Sequence, residues 1–216
     1  MTKWKYALAA AAAFIPAIAL VTPSGAQGDA QLPGQADVSR VTAGTYTTDP
    51  GHTLIGWRAN HFGFNDYFGI FGGATGTLEI DPAAIEDAKV DITIPIANVI
   101  TASEGLTGHL LRPGQDGAAP DFFGPDPQPA RFVSTSVEST GGTTANITGD
   151  LTLKGKTRPI VIAAEFTGAG KHPYNGKSTV GFEGRTVIKR SDFDINYGIP
   201  MVSDNVELDI TVAFEM

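Results

Sequence analysis

The stretch 205-NVELDITVAFEM-216 alternates between apolar and polar residues along its length. Val206, Leu208, Ile210, Val212 and Phe214 fall on one face, against Glu207, Asp209, Thr211 and Glu215 on the other. Apolar residues at period two, with polar residues between them, mark a strand with one buried and one solvated face. The pattern recurs upstream. Val90, Ile92, Ile94 and Ile96 share a face in 89-KVDITIPIAN-98, and Ile147, Leu151 and Leu153 align in 144-TANITGDLTLKG-155. Ile160, Ile162, Ala164 and Phe166 alternate in 157-TRPIVIAAEFTG-168, as do Val180, Phe182 and Ile188 in 178-STVGFEGRTVIKR-190. The segments 141-GGTT-144 and 154-KGKT-157 carry turn chemistry between antiparallel neighbours. Only 99-VITASEGLTGHLLRP-113 reads as helical, with Thr101 or Ser103 as cap and Leu106, Leu110 and Leu111 at helical spacing. The Pro- and Gly-rich run 113-PGQDGAAPDFFGPDPQPARF-132 is a long connection. The expectation is an all-β chain of about eight long antiparallel strands with one short helical insertion. Such strands pack as a sandwich or close into a barrel. An eight-stranded barrel can hold one small ligand inside.

The totals narrow the function. The chain has 216 residues, enough for one domain. Residues 1–26 read as a secretory signal peptide: Lys3 and Lys5, an uncharged apolar run from Ala7 to Val21, and small residues in Ser24-Gly25-Ala26 for cleavage near Ala26. Residues 27–43 are polar and aperiodic and read as a disordered lead-in; the domain follows over 44–216. Removing the leader takes two lysines and no acid, so the mature charge is 13 − 23 = −10. That sign argues against nucleic acid and against docking on anionic lipid heads. With no cysteine, disulfides, thiolate metal sites and cysteine nucleophiles are all excluded.

No constellation of catalytic or metal-binding residues emerges. His52 and His61 are nine residues apart, which on an unbroken strand puts them on opposite faces. His109 and His172 lie elsewhere, and no His-Glu-x-x-His or His-x-His occurs, so neither a metal nor a cofactor is expected. There is no Gly-x-Ser-x-Gly elbow, and 72-GGATG-76 precedes a strand rather than the helix a phosphate cradle needs. Glu207 and Asp209 are the solvated face of their strand. What remains is apolar surface, with 12 Phe. Thr53, Ile55, Trp57, Ala59 and His61 share a face, as do Tyr67, Gly69 and Phe71.

These segments in order carry a resemblance. Asp49, His52, Thr53, Trp57, His61, Gly69 and Phe71 are followed by His109, Leu110, Phe122 and Phe123. Pro129, Phe132 and Ser134, the hairpin 149-GDLTLKGKTRP-159, and Arg190, Asp192 and Phe193 complete the set. From about Gly44 to Met216 the chain resembles the YceI-like family, exported polyisoprenoid-binding proteins with a lipocalin-like barrel. It departs in the longer link 112-RPGQDGAAPD-121 and in Asp194, where the family usually has Gly. The resemblance implies an eight-stranded lipocalin-like barrel, exported to the periplasm, holding an isoprenoid or other long-chain lipid with no catalytic residue. Ile55, Trp57, Ala59, Tyr67, Phe71, Ile92, Ile94, Phe132, Val180 and Phe182 are then the candidate tunnel lining, with His61 as polar contact. Rival readings are a lipid-modifying enzyme using His61 with Arg58 or Asp192, and a structural barrel with a filled interior. Oligomeric state is left open, since exposed edge strands could pair a homodimer but nothing demands it.

Overall fold

Hairpin chemistry at the turns sets the architecture. Lys154 and Gly155 both adopt positive φ (48° and 71°), the geometry that lets a two-residue turn match the twist of its flanking strands. A computed structural model describes residues 32–216, and the leader expected over 1–26 lies outside them. Its strands are β1 (Gly44–Thr48), β2 (Leu54–His61), β3 (Asn65–Gly72), β4 (Thr75–Ile80), β5 (Lys89–Ile94) and β6 (Val99–Thr101). They continue with β7 (Ala130–Gly141), β8 (Thr144–Leu153), β9 (Lys156–Lys171), β10 (Ser178–Lys189) and β11 (Val202–Glu215), with one helix, α1 (Glu104–Leu111), between β6 and β7.

Eleven segments make eight long strands. β1 and β2 both run along β11, at Thr48↔Phe214 and then Leu54↔Thr211, so they form one interrupted strand. β3 and β4 form the next, paired to β2 and β1 respectively, and β5 with β6 forms the third. Pairing then runs through β7, β8, β9 and β10 to β11, which returns to β1 and closes an antiparallel barrel. The three interruptions, 49–53, 73–74 and 95–98, lie side by side. Pro50 and Pro95 sit in them, and a proline cannot donate to a ladder. At this seam the chain turns inward, burying Ala74 and Ile96.

Two expectations change. Residues 99–101, read as the start of a helix, are a strand paired to β3, because Val99 is needed in the core (2% exposed). The helix begins after Ser103, whose hydroxyl accepts from the Leu106 N–H at 3.2 Å. The described part of the lead-in, 32–43, is ordered rather than free. Gln35 exchanges both backbone hydrogen bonds with Ala169 on β9, and Val41 is buried beside Tyr46. It docks because β9 carries Gly168 and Gly170, whose bare backbones leave room for residues 33–35.

The interior holds two stacked apolar clusters. One contains Tyr46, Leu78, Phe166, Val180 and Phe214, at the end where the chain enters. The other contains Ile55, Phe71, Val99, Leu110, Leu151 and Phe193, toward α1. Beyond the second, Arg190 is 5% exposed and spends its guanidinium on four backbone carbonyls. Nε donates to Ser203 (2.8 Å), Nη1 to Ile195 (3.0 Å) and Tyr197 (2.8 Å), and Nη2 to Val202 (2.9 Å). Burial pushes its pKa below the ordinary arginine value, and Asp204 opposes that shift. This one side chain ties down the loop into β11. Asp194, the departure from the family's Gly, holds the left-handed conformation at φ 57°, ψ 34° that glycine would favour. Aspartate is among the few residues that tolerate it, and its carboxylate also meets Lys156 at 3.1 Å.

Removing these polar anchors has readable consequences. Arg190→Met should cost roughly 2–4 kcal/mol in urea denaturation: the buried Ile195 carbonyl left without a donor costs about 1–3 kcal/mol, and the three part-buried carbonyls regain water at a smaller cost. Glu215 is 8% exposed, and hydrogen bonds from Lys177 (2.9 Å) and Asn175 (3.1 Å) hold its carboxyl below its usual value. Hydrogen bonds from Arg131 do the same for Asp91. A carboxylate whose folded pKa is depressed contributes stability that is fully present above the unfolded pKa and lost as pH falls through the folded one. The urea midpoint should therefore fall below about pH 4, and Glu215→Gln should flatten that fall while lowering the midpoint at pH 7.

Candidate ligand-binding site

Closing eight strands leaves a hollow where the inward residues are small. Between the two clusters lies a cavity of about 130 Å³. Every one of the eight strands, interruptions included, contributes to its wall: Thr53 and Ile55, Leu78, Val90 with Ile92 and Ile94, Phe132, Ile147, Ile162 with Ala164, Phe182 with Gly184, and Ile210 with Val212 and Phe214. Its wall is almost entirely apolar.

Of the residues proposed from sequence, Ile55, Ile92, Ile94, Phe132 and Phe182 line this cavity. Phe71 and Val180 are buried in the clusters above and below it. Trp57 packs against the upper cluster with its indole laid over Gly69 of β3, its register partner. Ala59 is buried and Tyr67 half-buried; they pair with each other further along β2 and β3. Ile55, Ala59, Phe71, Phe132 and Val180 are buried, and Trp57, Tyr67, Ile92, Ile94 and Phe182 are half-buried.

His61 departs from its expected role. It is the last residue of β2, exposed, and its ring meets Phe62 edge-on at 4.2 Å. Alternation places it on the inward face, but the barrel wall ends there, so it lies away from the cavity. His52 is not on a strand at all. It sits in the 49–53 interruption, with Nδ1 2.6 Å from the Asp49 carboxylate, and this hydrogen bond raises the His52 pKa. Arg58 faces outward between Glu207 and Asp66, and Asp192 follows β10. Among the described residues no group of three His, Cys, Asp or Glu is placed to hold a metal.

Several cavity residues were absent from the proposed lining: Thr53, Leu78, Val90, Ile147, Ile162, Ala164, Glu183, Gly184, Ile210, Val212 and Phe214. Most stand on faces the alternation had marked as buried. Which part of each face meets a void depends on facing side chains, which one strand does not disclose. Two buried polar atoms beside this interior, Thr53 Oγ1 and Trp57 Nε1, have no hydrogen-bond partner.

The end near α1 is capped. Phe123 lies edge-on to Phe71 at 5.9 Å, and its N–H reaches the Leu110 carbonyl at 3.0 Å. Phe122 packs with His109 and Tyr197 at ring distances of 5.1 and 5.4 Å. His109 Nε2 and Arg112 hold Asp121 at 2.7 and 3.0 Å, which fastens the long 112–121 link across the barrel mouth.

This geometry has counterparts. The family described as the YceI-like domain matches residues 46–214. A UPF0312 protein of Ectopseudomonas mendocina is 38% identical over 188 residues, 86% of this chain and 92% of the relative. A Campylobacter jejuni YCEI protein of known structure is 30% identical, with a TM-score of 0.59 over 73% of this chain and 89% of that one. A polyisoprenoid-binding domain from Saccharophagus degradans shares the fold at 13% identity, with a TM-score of 0.56 over 79% of this chain and 97% of that one.

A hollow interior responds to mutation differently from a packed one. Ala164→Leu puts its added carbons into the void. A filled core would lose about 1–3 kcal/mol; here the urea midpoint should stay within about 1 kcal/mol of the parent.

Proposed function

The chain belongs to the YceI-like family, and on that premise we propose that it is an exported binding protein that holds an isoprenoid lipid, of the quinone or prenyl alcohol type, in its barrel. The observation that carries the reading is the apolar cavity walled by all eight strands. A prenyl chain is long, apolar and nearly insoluble, and a carrier replaces its contact with water by a dry wall. Each buried methylene contributes about 0.8 kcal/mol before losses, and ordering the chain takes part of this back. Binding of this kind needs shape and apolar area, not a reactive group. The structural relative described as polyisoprenoid-binding has the same barrel, which supports the fold's suitability for the task. The leader pattern over residues 1–26 supports the periplasm as its place of work, with transport, storage or sequestration of the lipid as the role.

Protein purified from its own periplasm should show a co-purifying isoprenoid by native mass spectrometry after gentle extraction. Without the leader, Trp57 is the sole tryptophan, and its emission should change on titration with farnesol. Ala164→Phe, which fills the cavity, should remove both signals while leaving the fold intact by circular dichroism. A parent protein with no lipid and no response would overturn the reading.

A further inference from the structure

The ladder between β9 and β10 runs from Ser178↔Lys171 to Arg185↔Ala163 and stops there, although β9 continues to Lys156 and β10 to Lys189. Neither strand is fraying. The freed part of β9 keeps β8 as far as Leu153↔Lys156, and the freed part of β10 keeps β11 as far as Lys189↔Asn205. Two held edges therefore part and leave a surface cleft of about 800 Å³ between them. Pro159 lies in the freed part of β9, where a residue without an N–H is tolerated because the ladder is one-sided.

The cleft lies beside the lumen of the barrel. Ile162 and Gly184 line the lumen, while Ile160, Ala163, Arg185 and Thr186 line the cleft. Ile162, on the lumen side, lies over Gly184 beside the cleft. A Cβ on Gly184 would stand 2.9 Å from Ile162 Cγ2, so only the absent side chain lets Ile162 rest there.

We propose, resting on the lipid-binding reading, that this cleft is the entrance to the ligand site. The chain enters sideways between β9 and β10 and reaches the lumen past Ile162. Ile188 and Phe193, both buried, provide the inner wall of the cleft. Val161 and Val187 point outward as half-exposed apolar lips. The mouth carries Arg158, Arg185 and Lys189 against one acid, Asp192, in a chain of net charge −8. Arg185 also meets Asp209 at 3.2 Å. An oxygen-rich polar end is therefore held at the mouth while the chain points inward. Entry along the barrel axis near α1 meets Phe122, Phe123 and the link fastened by Asp121, which favours the lateral route.

Val161 and Val187 would pair if the ladder continued, and the chain contains no cysteine. Val161→Cys/Val187→Cys places the only two thiols across the cleft, on exposed positions that leave the core untouched. They are joined by oxidation, or by a short bis-maleimide where the sulfurs do not meet, and the tie is confirmed by mass. Uptake of tritiated farnesol is followed by rapid filtration. Joining the lips should slow uptake by about tenfold or more, as for binding that must await a conformational opening, and reducing the disulfide should restore it. Ile162→Ala, which shortens the side chain over Gly184, should speed uptake. An unchanged rate in the tied protein, with equilibrium binding retained, overturns the lateral route and leaves the lipid-binding reading standing. Absence of farnesol binding in both tied and untied forms overturns the two together.

Discussion

Everything in this barrel depends on β11 finding a partner along both edges. On one side it pairs with β10, and on the other with β2 and then β1. A sheet that did not close would leave two rows of unpaired N–H and C=O groups, a standing cost and an invitation to aggregate. Closure removes both edges and fixes the number of strands at eight. It thereby fixes the interior width at a size that side chains nearly fill. Hollowness is then a matter of a few residues. Phe132, Phe182 and Phe214 reach into the centre, while Ala164 and Gly184 leave room beside them.

The paired charged groups are kept at the rims of this interior. Arg190 satisfies four loop carbonyls beyond the upper cluster, and Asp204 takes the Ser191 N–H and hydroxyl at 2.9 and 2.8 Å. Glu215 is bound by the 172–177 turn at the opposite end, and the His109–Asp121–Arg112 group fastens the link near α1. Each group sits where a loop must be pinned to a rim. The division follows from desolvation: a buried charge is tolerable only with partners, and loops offer free carbonyls whereas ladder strands do not. An apolar lumen between polar rims is the result.

The opening between β9 and β10 is the exception to closure and has its own logic. Both strands are among the longest in the chain and are held firmly on their outer sides, so losing some rungs between them leaves each strand in place. The freed backbone groups face a cleft open to water, which hydrates them, and this costs far less than burial without partners. A barrel can thus open sideways locally and still exist as a closed ring.

Alternation in 205-NVELDITVAFEM-216 and its counterparts was enough to read the strands, their buried faces and the turn at Lys154-Gly155, because period two and turn geometry are local properties of the backbone. The capped helix after Ser103 was legible for the same reason, although its start was read too early. The short-range pattern could not reveal that 49–53 breaks the first strand, and His52 and His61 take opposite faces only on an unbroken one. Nor could parity reveal that His61 stands past the end of the wall. An antiparallel β fold, and the apolar face of each strand, follow from the order of residues along the chain. Where that apolar face meets a void, which polar groups pin the rims, and that β9 and β10 part emerge from the closed ring. Those outcomes depend on residues such as Ile162 and Gly184 that are remote in sequence and meet only when the ring closes.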